Sequence, residues 1–167
     1  MTDIPADPTT AQEPADPVRQ PAIACDMTGA PDTGQERLAE YARLFDSALI
    51  SRERTPTAMR WWLRNDEGTE AWAKDLAARE NACCAFMTTT VTVAGDRVLW
   101  ESTAIDDPAA REVLDMMYEL PERRWTDAGQ ACARFTDEIG VPVVISDGPV
   151  VRPATPMEVR GGRPRPT

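Results

Sequence analysis

The chain has no histidine, and Lys74 is its only lysine. Without histidine there is no His-based triad, no imidazole general base and none of the zinc or iron sites that imidazole anchors. With one lysine there is no lysine-dependent phosphate loop, and neither a Gly-rich phosphate loop nor a serine nucleophile elbow occurs. Long apolar runs are missing too: none approaches the ~20 residues that span a bilayer. The opening Met1-Thr2-Asp3-Ile4-Pro5 lacks a basic region followed by an apolar core. No secretory signal is therefore expected, and the expected compartment is the cytoplasm. Positive charge is scarce: 18 Lys+Arg stand against 28 Asp+Glu, a formal net charge of -10. A field of that sign repels phosphate, so neither nucleic acid nor an anionic membrane surface is an expected partner.

What the chain does have is length for one domain and four cysteines. In a reducing cytoplasm these are expected as thiols rather than disulfides. Residues 1–20 are rich in Pro, Asp, Ala and Thr and nearly devoid of bulky apolar groups, which predicts a disordered N-terminal tail. Residues 148–167, rich in Pro, Gly and Arg, read as a second, mildly basic tail. Between them, 21–147 reads as a single α+β domain.

The ordered part opens with a short strand over 21–27. Thr33-Gly-Gln-Glu36 is a capping box, and Leu38, Tyr41, Leu44, Phe45, Ala48 and Leu49 recur at helical spacing behind it. Ala58–Arg64 alternates as a strand, with Met59, Trp61 and Leu63 on one face. Asn65-Asp-Glu-Gly68 turns the chain, Thr69 reads as an N-cap, and a helix is predicted from Glu70 to about Phe86. Thr88–Val93 and Arg97–Ile105 form a hairpin around Ala94-Gly95-Asp96. Asp107-Pro108 starts a third helix that is expected to stop at Pro121. Trp125, Ala128, Cys132, Phe135 and Ile139 carry a fourth that ends at Gly140. Val141–Ile145 is a last strand, with Pro142 suggesting an edge. The order β-α-β-α-β-β-α-α-β predicts helices packed on one face of a mainly antiparallel sheet.

The only place where chemistry is expected is the adjacent pair Cys83-Cys84. On an ideal helix, Cys83 lies about 20° from Trp72 and from Leu76, at the centre of the buried stripe. Cys84 is about 100° further round, at the stripe's edge, and Glu80 falls between them one turn earlier. Free cysteine is among the most buried residue types and behaves as a small hydrophobe, so the pair could be packing alone. Two adjacent thiols could equally supply part of a site for Hg(II), As(III) or Cu(I), ions that prefer two or three sulfurs. Cys25 is the natural third ligand, because a strand cysteine can face a helix packed on its sheet. Cys132 lies mid-stripe on the fourth helix and reads as core. A nucleophilic role is weaker, since the helix C-terminus disfavours thiolate and no histidine can act as base.

Glu80-Asn-Ala-Cys83-Cys84-Ala-Phe86, with an Ile-Ala-Cys25 strand ahead of the first helix, resembles a small, largely uncharacterised bacterial family. Its members carry a Glu-x-x-Cys-Cys-Pro-Phe signature and occur as short stand-alone proteins, sometimes beside or fused to metal-responsive regulators in mercury- or arsenic-related settings. The matching positions are Cys25, Glu80, Cys83, Cys84 and Phe86, within residues 21 to 120. Ala85 replaces the family's usual proline, which predicts a helix running on by a residue or two. The resemblance implies a soft-metal or metalloid site and a regulatory protein as partner, but it carries no activity. An alternative is a ligand- or protein-binding module whose pocket is lined by Trp61, Trp72 and Met87, with the cysteines as packing. Asp106, Asp107 and Glu112 could hold a hard cation, but Asp107 is better explained as a helix cap.

Overall fold

In a computed structural model, residues 23–146 are described. The two predicted tails, 1–20 and 148–167, lie outside them. The elements are β1 (Ile23–Asp26), α1 (Gly34–Ala48), β2 (Leu49–Arg54), β3 (Ala58–Arg64), α2 (Thr69–Cys83), β4 (Met87–Ala94), β5 (Arg97–Ala104), α3 (Pro108–Arg123), α4 (Ala128–Ile139) and β6 (Val143–Ser146). The α+β class holds. Four strands form an antiparallel sheet in the order β2-β3-β5-β4.

Alternation sets which face of that sheet is covered. Met59, Trp61 and Leu63 of β3 pair with Ser102, Trp100 and Val98 of β5, and all six are fully buried. Thr89 and Val91 of β4 continue this face opposite Ser102 and Trp100. Tyr41 and Leu44 from α1, Ala73, Leu76 and Ala77 from α2, and Leu114 and Leu120 from α3 pack onto it. Tyr41 sets its ring edge-on to both Trp61 and Trp100, at 5.6 and 5.9 Å between centroids. The hydroxyls of Thr89 and Ser102 lie 2.8 Å apart, and the indole N–H of Trp100 donates to Ser102 at 2.9 Å.

Three differences from the sequence reading have physical causes. Strand β2 was not expected. Leu-Ile-Ser-Arg-Glu-Arg leaves α1 with no turn residue, and its polar side chains hide the strand period. Arg52 and Arg54 nonetheless sit on the covered face at the sheet edge, opposite Trp61 and Met59. They are tied to α3 through the Tyr118 carbonyl, Glu122 and Asp115. Second, β1 and β6 stand apart from the antiparallel sheet as a two-stranded parallel ribbon, with Cys25 opposite Ile145. Third, Pro121 lies inside α3, which runs on to Arg123.

The starts of the helices follow their caps. The Thr33–Glu36 capping box is formed at α1, and the carboxylates of Asp107 and Asp127 accept from Ala110 and Gln130 at the starts of α3 and α4. At α2 the N-cap is Gly68 rather than Thr69, in the left-handed region at φ 84° that favours glycine.

Candidate functional site

The site forms where α2 ends. The helix stops at Cys83, three residues short of the expected end, even without a proline at position 85. Cys84 is the C-cap, at φ -111° and ψ 86°, and its N–H still donates to the Glu80 carbonyl at 2.9 Å. Leaving helical geometry there turns the Cys84 side chain off the ideal helical wheel. Both cysteines are therefore buried, where the wheel places Cys84 at the stripe's edge.

Strand β1 delivers Cys25 to the same spot. The structure joins Cys25 to Cys84 in a disulfide, with Cα atoms 4.6 Å apart, where the sequence suggested thiols. Cys83 is not bonded to either, but its sulfur lies 3.4 Å from that of Cys84. The sulfurs of Cys25, Cys83 and Cys84 all lie within 4.8 Å of one another. Met27 packs against the three.

A buried ion pair flanks the sulfurs. The Arg37 guanidinium donates to a Glu80 carboxylate oxygen at 2.8 Å and approaches the Cys83 sulfur at 3.9 Å. The other Glu80 oxygen lies 3.6 Å from the Cys84 sulfur. Arg37 also grips Asp32 with two bonds, at 2.6 and 2.7 Å. Arg79 bridges Asp32 to Glu40, which accepts from the Trp72 indole at 2.8 Å. Burial works against the Arg37 charge, but Asp32 and Glu80 more than offset it and hold its pKa above the ordinary value. The hydrogen bond from Arg37 holds the Asp32 carboxyl below the usual carboxylate range.

Burial, and then the neighbouring Glu80 charge, push the Cys83 thiol up to about 11, although Arg37 pulls the other way. Cys83 is thus a poor nucleophile near neutrality. A bound soft cation would remove that barrier, because metal coordination deprotonates a thiol directly.

The three cysteines open onto an apolar cavity of ≈ 100 Å³. Its lining is almost entirely apolar and includes Phe86, Met87, Val113, Met117, Ala131 and Phe135. Of the residues expected to line a pocket, Met87 does so; Trp61 is in the core against Phe45 and Trp100, and Trp72 is tied to Glu40. Cys132, read from the sequence as core, is half-buried and also faces the cavity. Tyr41 borders it as well, and its buried hydroxyl makes no hydrogen bond. Burial and the nearby Glu80 push the pKa of that hydroxyl well above its ordinary value.

The residue missed from the sequence is Arg37. A signal existed. Arg37 falls four residues before Tyr41 and seven before Leu44, on the inward stripe of α1, and a charge on such a stripe calls for a buried partner. No family model, no curated protein and no solved structure matches the chain.

Proposed function

We propose that the reduced protein binds a soft metal or metalloid ion of the Hg(II), As(III) or Cu(I) class through Cys25, Cys83 and Cys84. Glu80 sits beside the sulfurs as a fourth, oxygen donor. The protein then buffers, delivers or senses the ion without turning over a substrate. The observation that carries this reading is the convergence of three sulfurs within 4.8 Å, from cysteines as far as 59 residues apart in sequence. Soft cations select thiolates in this number. The absence of histidine from the chain leaves sulfur and carboxylate as its ligand types.

The Cys25–Cys84 disulfide is the oxidised form of the same site. Two equivalents of a low-molecular-weight thiol reduce it, becoming a disulfide themselves and leaving a proton on each freed cysteine. A reducing cytoplasm is the compartment that maintains the binding form. A regulatory protein is the natural recipient of the ion or of the signal.

Titration of the reduced protein with Hg(II), As(III) and Cu(I) tests the reading, comparing wild type with the Cys83→Ser/Cys84→Ser double variant. Tight binding in the wild type and its loss in the variant are expected. Equal affinity in both ends the reading. The apolar cavity favours a second reading, a ligand-binding module in which the cysteines are packing. That reading requires an uncharged apolar ligand to bind wild type and double variant alike.

A further inference from the structure

A bare ion held by three sulfurs needs no apolar room behind it, yet the sulfurs border a cavity of ≈ 100 Å³ with an almost wholly apolar lining. Protein interiors contain few spaces larger than a water molecule, and an apolar one offers water no hydrogen-bond partners. The lining atoms around such a space forgo dispersion contacts that an apolar occupant would restore. The lining thus joins two chemistries, the sulfurs of Cys25, Cys83 and Cys84 and apolar side chains that include Val113, Met117, Ala131 and Phe135.

We propose that the ligand is a soft cation already carrying a short alkyl group, a monoalkylmercury(II) ion being the type case. The metal sits at the sulfurs and the alkyl chain lies in the cavity. This rests on the soft-metal reading above and specifies its ligand. On binding, a metal–sulfur bond forms, the S–H bond of a cysteine breaks, its proton leaves to solvent, and the carbon–metal bond stays intact. No electron is transferred. Size sets the preference: an enclosed apolar cavity of about 150 Å³ takes up benzene, and this partly open one is smaller, at ≈ 100 Å³, so it suits a chain of a few carbons rather than an aromatic ring.

A second consequence separates this ligand from the bare ion. A monoalkyl cation has one valence satisfied by carbon and needs only one thiolate to complete a two-coordinate arrangement. Cys83, outside the disulfide, supplies that thiolate in either redox state of the site.

The test is competition against glutathione in the reduced full chain, in a Cys132→Ser background to remove the fourth thiol. Methyl-, ethyl-, n-propyl- and phenylmercury(II) are compared with Hg(II). Affinity is expected to rise about fourfold per added methylene, the gain for burying one CH₂, and phenylmercury is expected to fall below ethylmercury. Ala131→Leu, which fills the cavity, should flatten the alkyl series and lower propylmercury affinity more than Hg(II) affinity. Met117→Ala, which enlarges it, should raise phenylmercury affinity, so a folding defect in one variant does not remove the test. Hg(II) bound at the cysteines with no dependence on chain length overturns this inference and leaves the soft-metal reading standing. Failure of every ion to bind above the level of Cys83→Ser/Cys84→Ser overturns both.

Discussion

Arg37 on α1 and Glu80 on α2 meet at 2.8 Å beside the sulfur cluster, and both are buried. Removing one member of such a pair leaves a charge in the interior without its partner, which typically costs about 3–5 kcal/mol. Arg37→Met is expected to lose stability of that order, because it strips Glu80 of its cation and Asp32 of its two-bond partner. Glu80→Gln should cost less, about 1–3 kcal/mol, since Arg37 keeps Asp32. Urea unfolding of the two variants checks the order; equal losses would mean that Asp32 does not share the load.

The Cys83 thiol, pushed up to about 11 by burial and by Glu80, gives a pH signature. Only the thiolate is alkylated. In the oxidised protein, iodoacetamide should modify Cys83 slowly at pH 8, and the rate should climb roughly tenfold per pH unit with no plateau near 9. The linkage has a definite sign. Between 9 and 11 the folded chain keeps a proton that the unfolded chain has lost, so stability falls as pH rises through that window. A modification rate that levels off by pH 9, read by mass spectrometry of the Cys83 peptide, would contradict this environment.

The disulfide between Cys25 and Cys84 closes a loop spanning 59 residues. Restricting an unfolded chain over that length is worth about 4 kcal/mol in the loop-entropy account. Cys25→Ser should lower the oxidised protein's stability by up to that amount, and reduction of the wild type should have a similar effect. Denaturant midpoints with and without reductant measure it. Saturating Hg(II) should recover part of the loss in the reduced wild type, because the folded state offers three gathered thiols and the unfolded chain only the adjacent pair, and a ligand that binds the folded state more tightly stabilises it.

Tyr41 places its hydroxyl in the interior without a hydrogen bond, against a ring environment of Phe45, Trp61 and Trp100. Tyr41→Phe keeps the packing and removes an unsatisfied polar group, so it should be neutral or stabilising by about 1 kcal/mol. A loss of more than that in the denaturant midpoint would show that the hydroxyl makes a bond to Glu80 in solution.

Much of the fold was legible because local chemistry and global structure agree. The Thr33–Glu36 box, the Asp107-Pro108 start, the Gly140 stop and the Met59-Trp61-Leu63 alternation each announce their element. Strand β2 was not legible, because Arg52 and Arg54 face inward at a sheet edge and are compensated by α3, which a local pattern cannot show. The sequence singled out Cys25, Glu80, Cys83 and Cys84 as candidates, and the structure brings the three sulfurs together with Glu80 beside them. The geometry of the site was not legible, because the chain leaves the helix at Cys84 and because β1 pairs with β6, a partner that sequence proximity does not suggest. Arg37 was overlooked although its place on the inward stripe of α1 was open to view.

The cavity beside the sulfurs draws its thiol and its apolar lining largely from different stretches of chain. Cys25, Cys83 and Cys84 come from β1 and the end of α2, whereas Val113, Met117, Ala131 and Phe135 come from α3 and α4. Substitutions on the α3–α4 side can therefore reshape what fits without moving a sulfur, and changes at the sulfurs leave that side's contour alone. If the proposed ligand binds here, affinity for its soft atom and selectivity for what that atom carries become separable traits, open to independent adjustment by mutation.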